Sequence, residues 1–288
     1  MCYNEEKRIE YAIRNFKGKF KIMVVDNIPP STDRTREICE RHGVEYVILD
    51  RCGHAEQPIV MNELWKKITT DYMIYAMCAE YVPDELLHLY AKVANEKSYD
   101  TVCALRVSII AGKHVFVWGR AYNLLFWRTG PGRFNRRDSV NYENNPIHRY
   151  GKLACDRSRV LKASNDPKLM FYQFQDYDTA AWEKQQVLNR SDIEAQQMCQ
   201  NGERYSFFKM IYRSLREFII AYFIYGAYQD GHLGFMHSYF RFTIYMSSYM
   251  RLWDIEHNLQ KDQIVAIHNT LKEKLLSKEI TVESLLKR

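Results

Sequence analysis

The sequence predicts an α/β domain followed by an α-helical C-terminal region. Three observations carry that expectation. A compact apolar run, Phe20 to Asp26, is followed by a polar helical segment and a second apolar run, Val44 to Leu49, the order of one βαβ unit. Strand-like and helix-like segments go on alternating to about residue 110. From about residue 176 the pattern is helical. The expected domains are residues 1–165 and 166–288, the second packed on the first or lying at a membrane surface.

Taken in order, Ile9, Ala12, Ile13 and Phe16 stand at helical spacing and give an amphipathic helix just after Tyr3-Asn4-Glu5-Glu6. Phe20 to Asp26 reads as a buried parallel strand that ends in an acid and the turn residues Asn27, Pro29 and Pro30. Ser31 to His42, with polar residues at its start and Gly43 at its end, reads as a helix, and Val44 to Leu49 as the second strand. Ligands of open α/β sheets gather at the C-terminal strand edge, which is where Asp26 and the Ser31-Thr32-Asp33 cluster fall.

Tyr72 to Met77 is a third strand, Pro83 to Asn95 a helix with Pro at its start, and Tyr99 to Ile110 a further strand. Between about 112 and 165 the pattern loosens into aromatic and basic residues with Gly130, Pro131, Gly132 and Pro146, as in long functional loops or short antiparallel strands. Ser206 to Trp253 is dense in Tyr, Phe and Arg and is broken by Gly226, Asp230-Gly231 and Gly234, which makes two helices around a turn. That composition suits first a helix buried against the α/β domain, and as the alternative a helix in a membrane interface, which would make residues 206–253 a peripheral membrane contact.

Charge narrows the partners. Forty-one basic against 35 acidic residues give a net charge of +6, a mild bias spread along the whole length. A dedicated nucleic-acid protein concentrates its cations more sharply, so no nucleic-acid partner is expected; nucleotide diphosphates, phosphorylated glycans and anionic membranes stay open. Seven cysteines without a C-x-x-C pair read as reduced thiols of a cytoplasmic protein. No apolar stretch reaches spanning length and no signal peptide opens the chain, so the expected location is the cytoplasm, including the inner face of the cytoplasmic membrane.

Tyr3-Asn4-Glu5-Glu6, then Val24-Val25-Asp26-Asn27, then Ser31-Thr32-Asp33-Arg34-Thr35-Arg36-Glu37-Ile38 resembles, in order and spacing, the opening of the family-2 inverting glycosyltransferases, with Ile28-Pro29-Pro30 as a short insertion. That resemblance implies a GT-A fold, a Rossmann-like and mostly parallel central sheet flanked by helices. The likeness continues more weakly through Asn62, Tyr72 to Met77 and Glu80. It resumes at Trp182-Glu183-Lys184-Gln185 to Glu194-Ala195 and at Asp230-Gly231-His232-Leu233-Gly234-Phe235. These later pieces are similar to bacterial enzymes that build lipopolysaccharide core or capsular glycans.

The resemblance implies a nucleotide-sugar donor, a UDP-sugar first among them, and a surface-glycan or lipid-linked acceptor. Tyr3, Asn4, Glu5, Asp26 and Asn62 become the donor-binding residues, with Asp26 accepting a hydrogen bond from a ring N–H of the base. The competing role for Asp26 is to cap the turn before the helix.

Three departures from the family pattern follow. Where the family places two aspartates, one residue apart, to hold a divalent metal, this chain has Met77-Cys78-Ala79-Glu80. Mg²⁺ and Mn²⁺ prefer hard oxygen donors, which leaves Glu80 as the one metal ligand. The choices are a metal held by Glu80 and phosphate oxygens, a metal-independent site using arginines among Arg120, Arg128, Arg133, Arg136 and Arg137, or a catalytically silent binding or scaffold protein. The acceptor loop reads Asn145-Pro146-Ile147-His148-Arg149, with Arg149 where the family's acid is expected, so His148, Glu143 and Asp138 are the candidate general bases. Finally, Met1 falls where the first sheet strand should already be ending, so either the true start lies upstream or the sheet is assembled without that strand.

Overall fold

The computed structural model describes residues 1–49, 58–115, 132–141, 152–175, 178–259, 261–281 and 284, without the side chains of 58, 59, 179, 185 and 186. The chain divides into two compact units, Met1–Asp176 and Tyr177–Arg288.

The first unit opens with α1 (Ile9–Phe16), β1 (Met23–Asp26), α2 (Thr35–Arg41) and β2 (Glu45–Ile48). β1 and β2 pair in parallel from Met23 against Glu45 to Asp26 against Ile48, which completes the expected βαβ unit. After α3 (Pro58–Lys67) come β3 (Tyr72–Ile74), β4 (Glu80–Tyr81) and α4 (Asp84–Glu96), the last entered through Pro83. The run expected as one strand from Tyr99 to Ile110 is two, β5 (Thr101–Cys103) and β6 (Arg106–Ile110), and they join different sheets. β7 (Lys113–Val115), β8 (Phe134–Arg136), β9 (Val140–Asn141), β10 (Lys152–Leu153), β11 (Val160–Lys162) and β12 (Phe171–Gln175) complete the unit.

Two four-stranded sheets run in the orders β11-β5-β8-β3 and β4-β12-β6-β7. β5 with β11 and β6 with β12 are parallel, whereas β8 is inserted antiparallel between β5 and β3, so the architecture is mixed. β12 lies beyond the boundary expected at residue 165. It pairs with both β6 and β4 and buries Phe171, so backbone hydrogen bonds hold it in the first unit.

Among the described residues no ladder joins β1 to β3. The first two residues bridge them instead: the Met1 α-amine donates to Ala76 O at 3.1 Å and Cys2 N–H donates to Val25 O at 2.9 Å. This places the end of β1, the opening residues and the segment after β3 side by side.

Helix α4 turns Leu86, Leu87, Tyr90 and Val93 into the core. There Phe134 is stacked between Tyr72, with ring centroids 5.0 Å apart, and Tyr90, at 4.8 Å. Fully burying a large apolar side chain of this kind contributes about 1.5–3 kcal/mol, so this stack anchors β8 and with it Arg133.

The second unit is helical. Segments Thr179–Trp182 and Glu183–Asn189, the latter π-helical, lead into α5 (Arg190–Gln200). Then come α6 (Phe207–Ile219), extended by the π-helical Ile220–Ile224, a 3₁₀ turn Ala227–Asp230, α7 (Gly231–Glu256) and α8 (Lys261–Leu276). Ser206 caps α6 by accepting a hydrogen bond from Lys209 N–H, and the core holds Met198, Met210, Tyr249 and Leu252. Gly234 sits so close to the turn that a Cβ there would lie 1.7 Å from Ala227 O. No helix among the described residues is long and apolar enough to cross a membrane.

Candidate functional site

Asp26 ends β1 and is fully buried. Its Oδ1 accepts from Asn27 N–H at 2.7 Å, and its Oδ2 accepts from Ser31 N–H at 2.7 Å and from the Tyr46 hydroxyl on β2. Burial opposes its ionisation, yet the Tyr46 hydroxyl and the Ser31 and Asn27 donors outweigh it and hold the carboxyl below the ordinary aspartate range. Burial and this same carboxylate push the Tyr46 phenol upward. Asp26 therefore holds the loop at the strand's end in shape, and half-buried Asn27 follows it in that loop. Tyr46 is not among the residues the sequence points to; its place two residues before Ile48, the partner of Asp26 on the parallel strand, puts both on one face of the pair.

The opening residues interlock with that loop. Asn4 N–H donates to Ser31 Oγ at 2.8 Å while Asn4 Oδ1 accepts from Thr32 N–H at 2.9 Å. Glu5 N–H reaches Thr35 Oγ1 at 2.7 Å, and Glu6 N–H reaches Asp33 Oδ2 at 2.9 Å. Asn4 holds this geometry at a φ of 53°, in the left-handed region that Asn tolerates. The Glu5 carboxylate forms a two-pronged pair with Arg8, 2.7 and 2.8 Å. Of the expected donor-binding residues, Asn4, Glu5 and Asp26 thus build one tied loop cluster. Tyr3 is exposed beside it, and Asn62 is exposed on α3.

The segment after β3 closes the same edge. Cys78 Sγ donates to Met1 O at 3.5 Å, and burial pushes this thiol up to about 11. Glu80 lies buried in β4, its Oε2 accepting from Met77 N–H at 3.0 Å and its Oε1 paired with Arg133. Met77 and Ala79 offer no oxygen donor, and no group of three His, Cys, Asp or Glu side chains that could hold a metal converges among the described residues. Among the described residues this segment offers a hard divalent cation one carboxylate, Glu80, whose two oxygens are already engaged.

The described arginines of the expected set are committed elsewhere. Arg133 pairs with Glu80, Arg136 with Asp100 at 3.2 Å, and Arg137 donates to the carbonyls of Trp65 and Ile68 while lying over the Trp65 ring. Arg120 and Arg128 lie outside the described residues, as do the candidate bases Glu143 and His148. Asp138 is exposed at a φ of 64°, in the turn after β8. Arg137 N–H bonds Asp71 O there, so Asp138 sits beyond the start of β3, whereas Met77 to Glu80 follow its end.

A family model described as glycosyl transferase family 2 matches residues 1–159. The chain belongs to this family. As a family-2 glycosyltransferase it has the GT-A fold in its α/β unit, and the family implies a nucleotide-sugar donor and an acceptor substrate. No curated protein matches the chain. The match covers β1 through Asp26, the loop cluster and the segment Met77 to Glu80, and it stops before β12 and the helical unit.

Proposed function

We propose that this family-2 glycosyltransferase moves a hexosyl group, with inversion, from a UDP-sugar to a bacterial surface-glycan or lipid-linked acceptor at the inner face of the cytoplasmic membrane. The observation that carries the donor half is the loop cluster at the end of β1. Asp26, fixed by Tyr46, Ser31 and Asn27, shapes a polar edge at the C-terminal end of a parallel strand, where α/β folds take nucleotides. Tyr3, exposed beside this edge, would meet the nucleoside.

The same reading makes the site metal-independent. Glu80 has both oxygens engaged, so the diphosphate charge falls to guanidinium groups, with Arg120 and Arg128 of the expected set proposed for it. The acceptor proton goes to His148 or Glu143.

Titration calorimetry with UDP, GDP, CMP and dTDP, each with EDTA and with Mn²⁺, tests this. UDP should bind in EDTA as it does in Mn²⁺. Absence of binding by every nucleotide at millimolar concentration would overturn the donor reading, and binding that requires Mn²⁺ would overturn the metal-independent one.

A second reading, a catalytically silent family member acting as a binding or scaffold subunit, is favoured by the replacement of the paired aspartates with Met77 and Ala79. Donor hydrolysis abolished by Arg120→Ala or His148→Ala, in variants that still fold, eliminates it.

A further inference from the structure

The helical unit carries an apolar face that no other described element of that unit covers. Helix α6 turns Met210, Ser214 and Glu217 inward. On its opposite side Phe208, Tyr212, Leu215 and Ile219 stand at i, i+4, i+7 and i+11 and are 83, 67, 48 and 49% exposed. The π-helical turn that follows continues the face with Phe223 and Ile224, each 60% exposed.

The polar residues of α6 are distributed the other way. Its acid, Glu217, is buried and paired with Arg241. Lys209 and Arg216 are exposed along one flank of the apolar strip and form no ion pair with another described residue. A helix with solvent on its outer face normally reverses this order, apolar inward and charge outward.

Two occupants would cover a strip of large apolar side chains flanked by cations. A second copy packed through the same strip would bring these cations no counter-charge from this helix, because its one acid, Glu217, is buried. An anionic bilayer offers acyl boundary to the strip and phosphate to the cations together. We propose that α6 lies in the headgroup boundary of an anionic membrane, with Phe208, Tyr212, Leu215 and Ile219 inserted and Lys209 and Arg216 on lipid phosphates. This names the element responsible for membrane contact, and it does not depend on the donor site being active.

Flotation of the full chain with vesicles tests it, without nucleotide, so that failure here is separable from failure of the transferase reading. Vesicles of phosphatidylcholine with phosphatidylglycerol should bind at least about tenfold more tightly than phosphatidylcholine alone, and added salt should weaken the binding. Leu215→Ser with Ile219→Ser should lose about tenfold or more while melting at the wild-type temperature, since both side chains are exposed. Lys209→Glu with Arg216→Glu should abolish the preference for phosphatidylglycerol and leave the melting temperature unchanged. Equal binding to both vesicles, no binding to either, or a dimer in sedimentation that Leu215→Ser dissociates would each overturn the proposal.

Discussion

Glu80 and Arg133 form an ion pair whose side chains are only 2 and 6% exposed. The guanidinium lies 5.3 Å from the Tyr75 ring centroid and 5.6 Å from that of Phe171, and the second carboxylate oxygen takes Met77 N–H. The carboxylate that the family pattern marks for a metal is here the counter-ion of a buried cation. It ties β4 to the start of β8 and, through the Phe171 ring, to β12.

Removing one partner of such a pair leaves the other charged and buried, which costs about 3–5 kcal/mol. Glu80→Gln keeps the shape and an acceptor for Met77 N–H but strands the Arg133 charge, so a loss within that range is expected in chemical denaturation. Mn²⁺ at millimolar concentration should leave the wild-type melting temperature unchanged. A melting temperature raised by Mn²⁺ in the wild type and not in Glu80→Gln would restore Glu80 as a ligand.

Tyr46→Phe removes the hydroxyl donor from Asp26 and nothing else of that side chain. A hydrogen bond to a charged group contributes about 1.5–3 kcal/mol, and that is the loss expected at neutral pH. Because the folded Asp26 carboxyl is held below its unfolded value, its contribution is present above about pH 4 and is lost as pH falls through the folded value. Urea denaturation between pH 6 and 3 should therefore give a shallower acid slope for Tyr46→Phe than for the wild type. Equal slopes would mean that Tyr46 does not set the ionisation of Asp26.

Local patterns in the sequence are enough for the βαβ opening, α4 and the helical unit, because 3.6-residue and strand periodicities are set by neighbours along the chain. The division of 99–110 into β5 and β6 was not legible, since the break at Ala104-Leu105 carries no Gly or Pro and exists because the two halves pair with β8 and β12, distant in sequence. Asp26 was found as the acid ending a strand, but its burial was not, because Tyr46, its strongest donor, lies 20 residues away. Glu80 was read by motif alone. Its partner Arg133 is 53 residues on, and only the antiparallel insertion of β8 brings them together.

Gly132 precedes Arg133 and meets the neighbouring strand so closely that a Cβ would stand 1.8 Å from Val102 O. Its N–H also donates to Thr101 Oγ1 at 3.1 Å. Gly132→Ala cannot be absorbed by a side-chain shift, because the obstructing atom is backbone, so β8 must move away from β5. A loss on the order of 2–3 kcal/mol is expected from such overpacking. Gly43→Ala is the control: its Cβ meets nothing within 4 Å, so its cost is limited to the strain of a φ of 66°. If both variants lose the same stability, close approach is not what Gly132 provides.

In the helical unit, His237 is buried beside the Trp182 ring at 6.4 Å and sits near two cations. Burial first, and then the charges of Arg241 and Arg190, depress its pKa to about 3. The folded imidazole is therefore neutral where the unfolded one, with a pKa of about 6.5, takes up a proton. Stability from this group is complete above pH 6.5 and declines as pH falls toward 3, because only the unfolded chain binds the proton over that window. Each pH unit in the window costs about 1.4 kcal/mol, so the step from pH 7 to pH 5 should cost the wild type on the order of 2 kcal/mol more than it costs His237→Gln. Urea denaturation of the whole chain at the two pH values reads that difference. The carboxylates contribute equally to both proteins, so parallel losses would show that His237 is accessible to protons in the folded state.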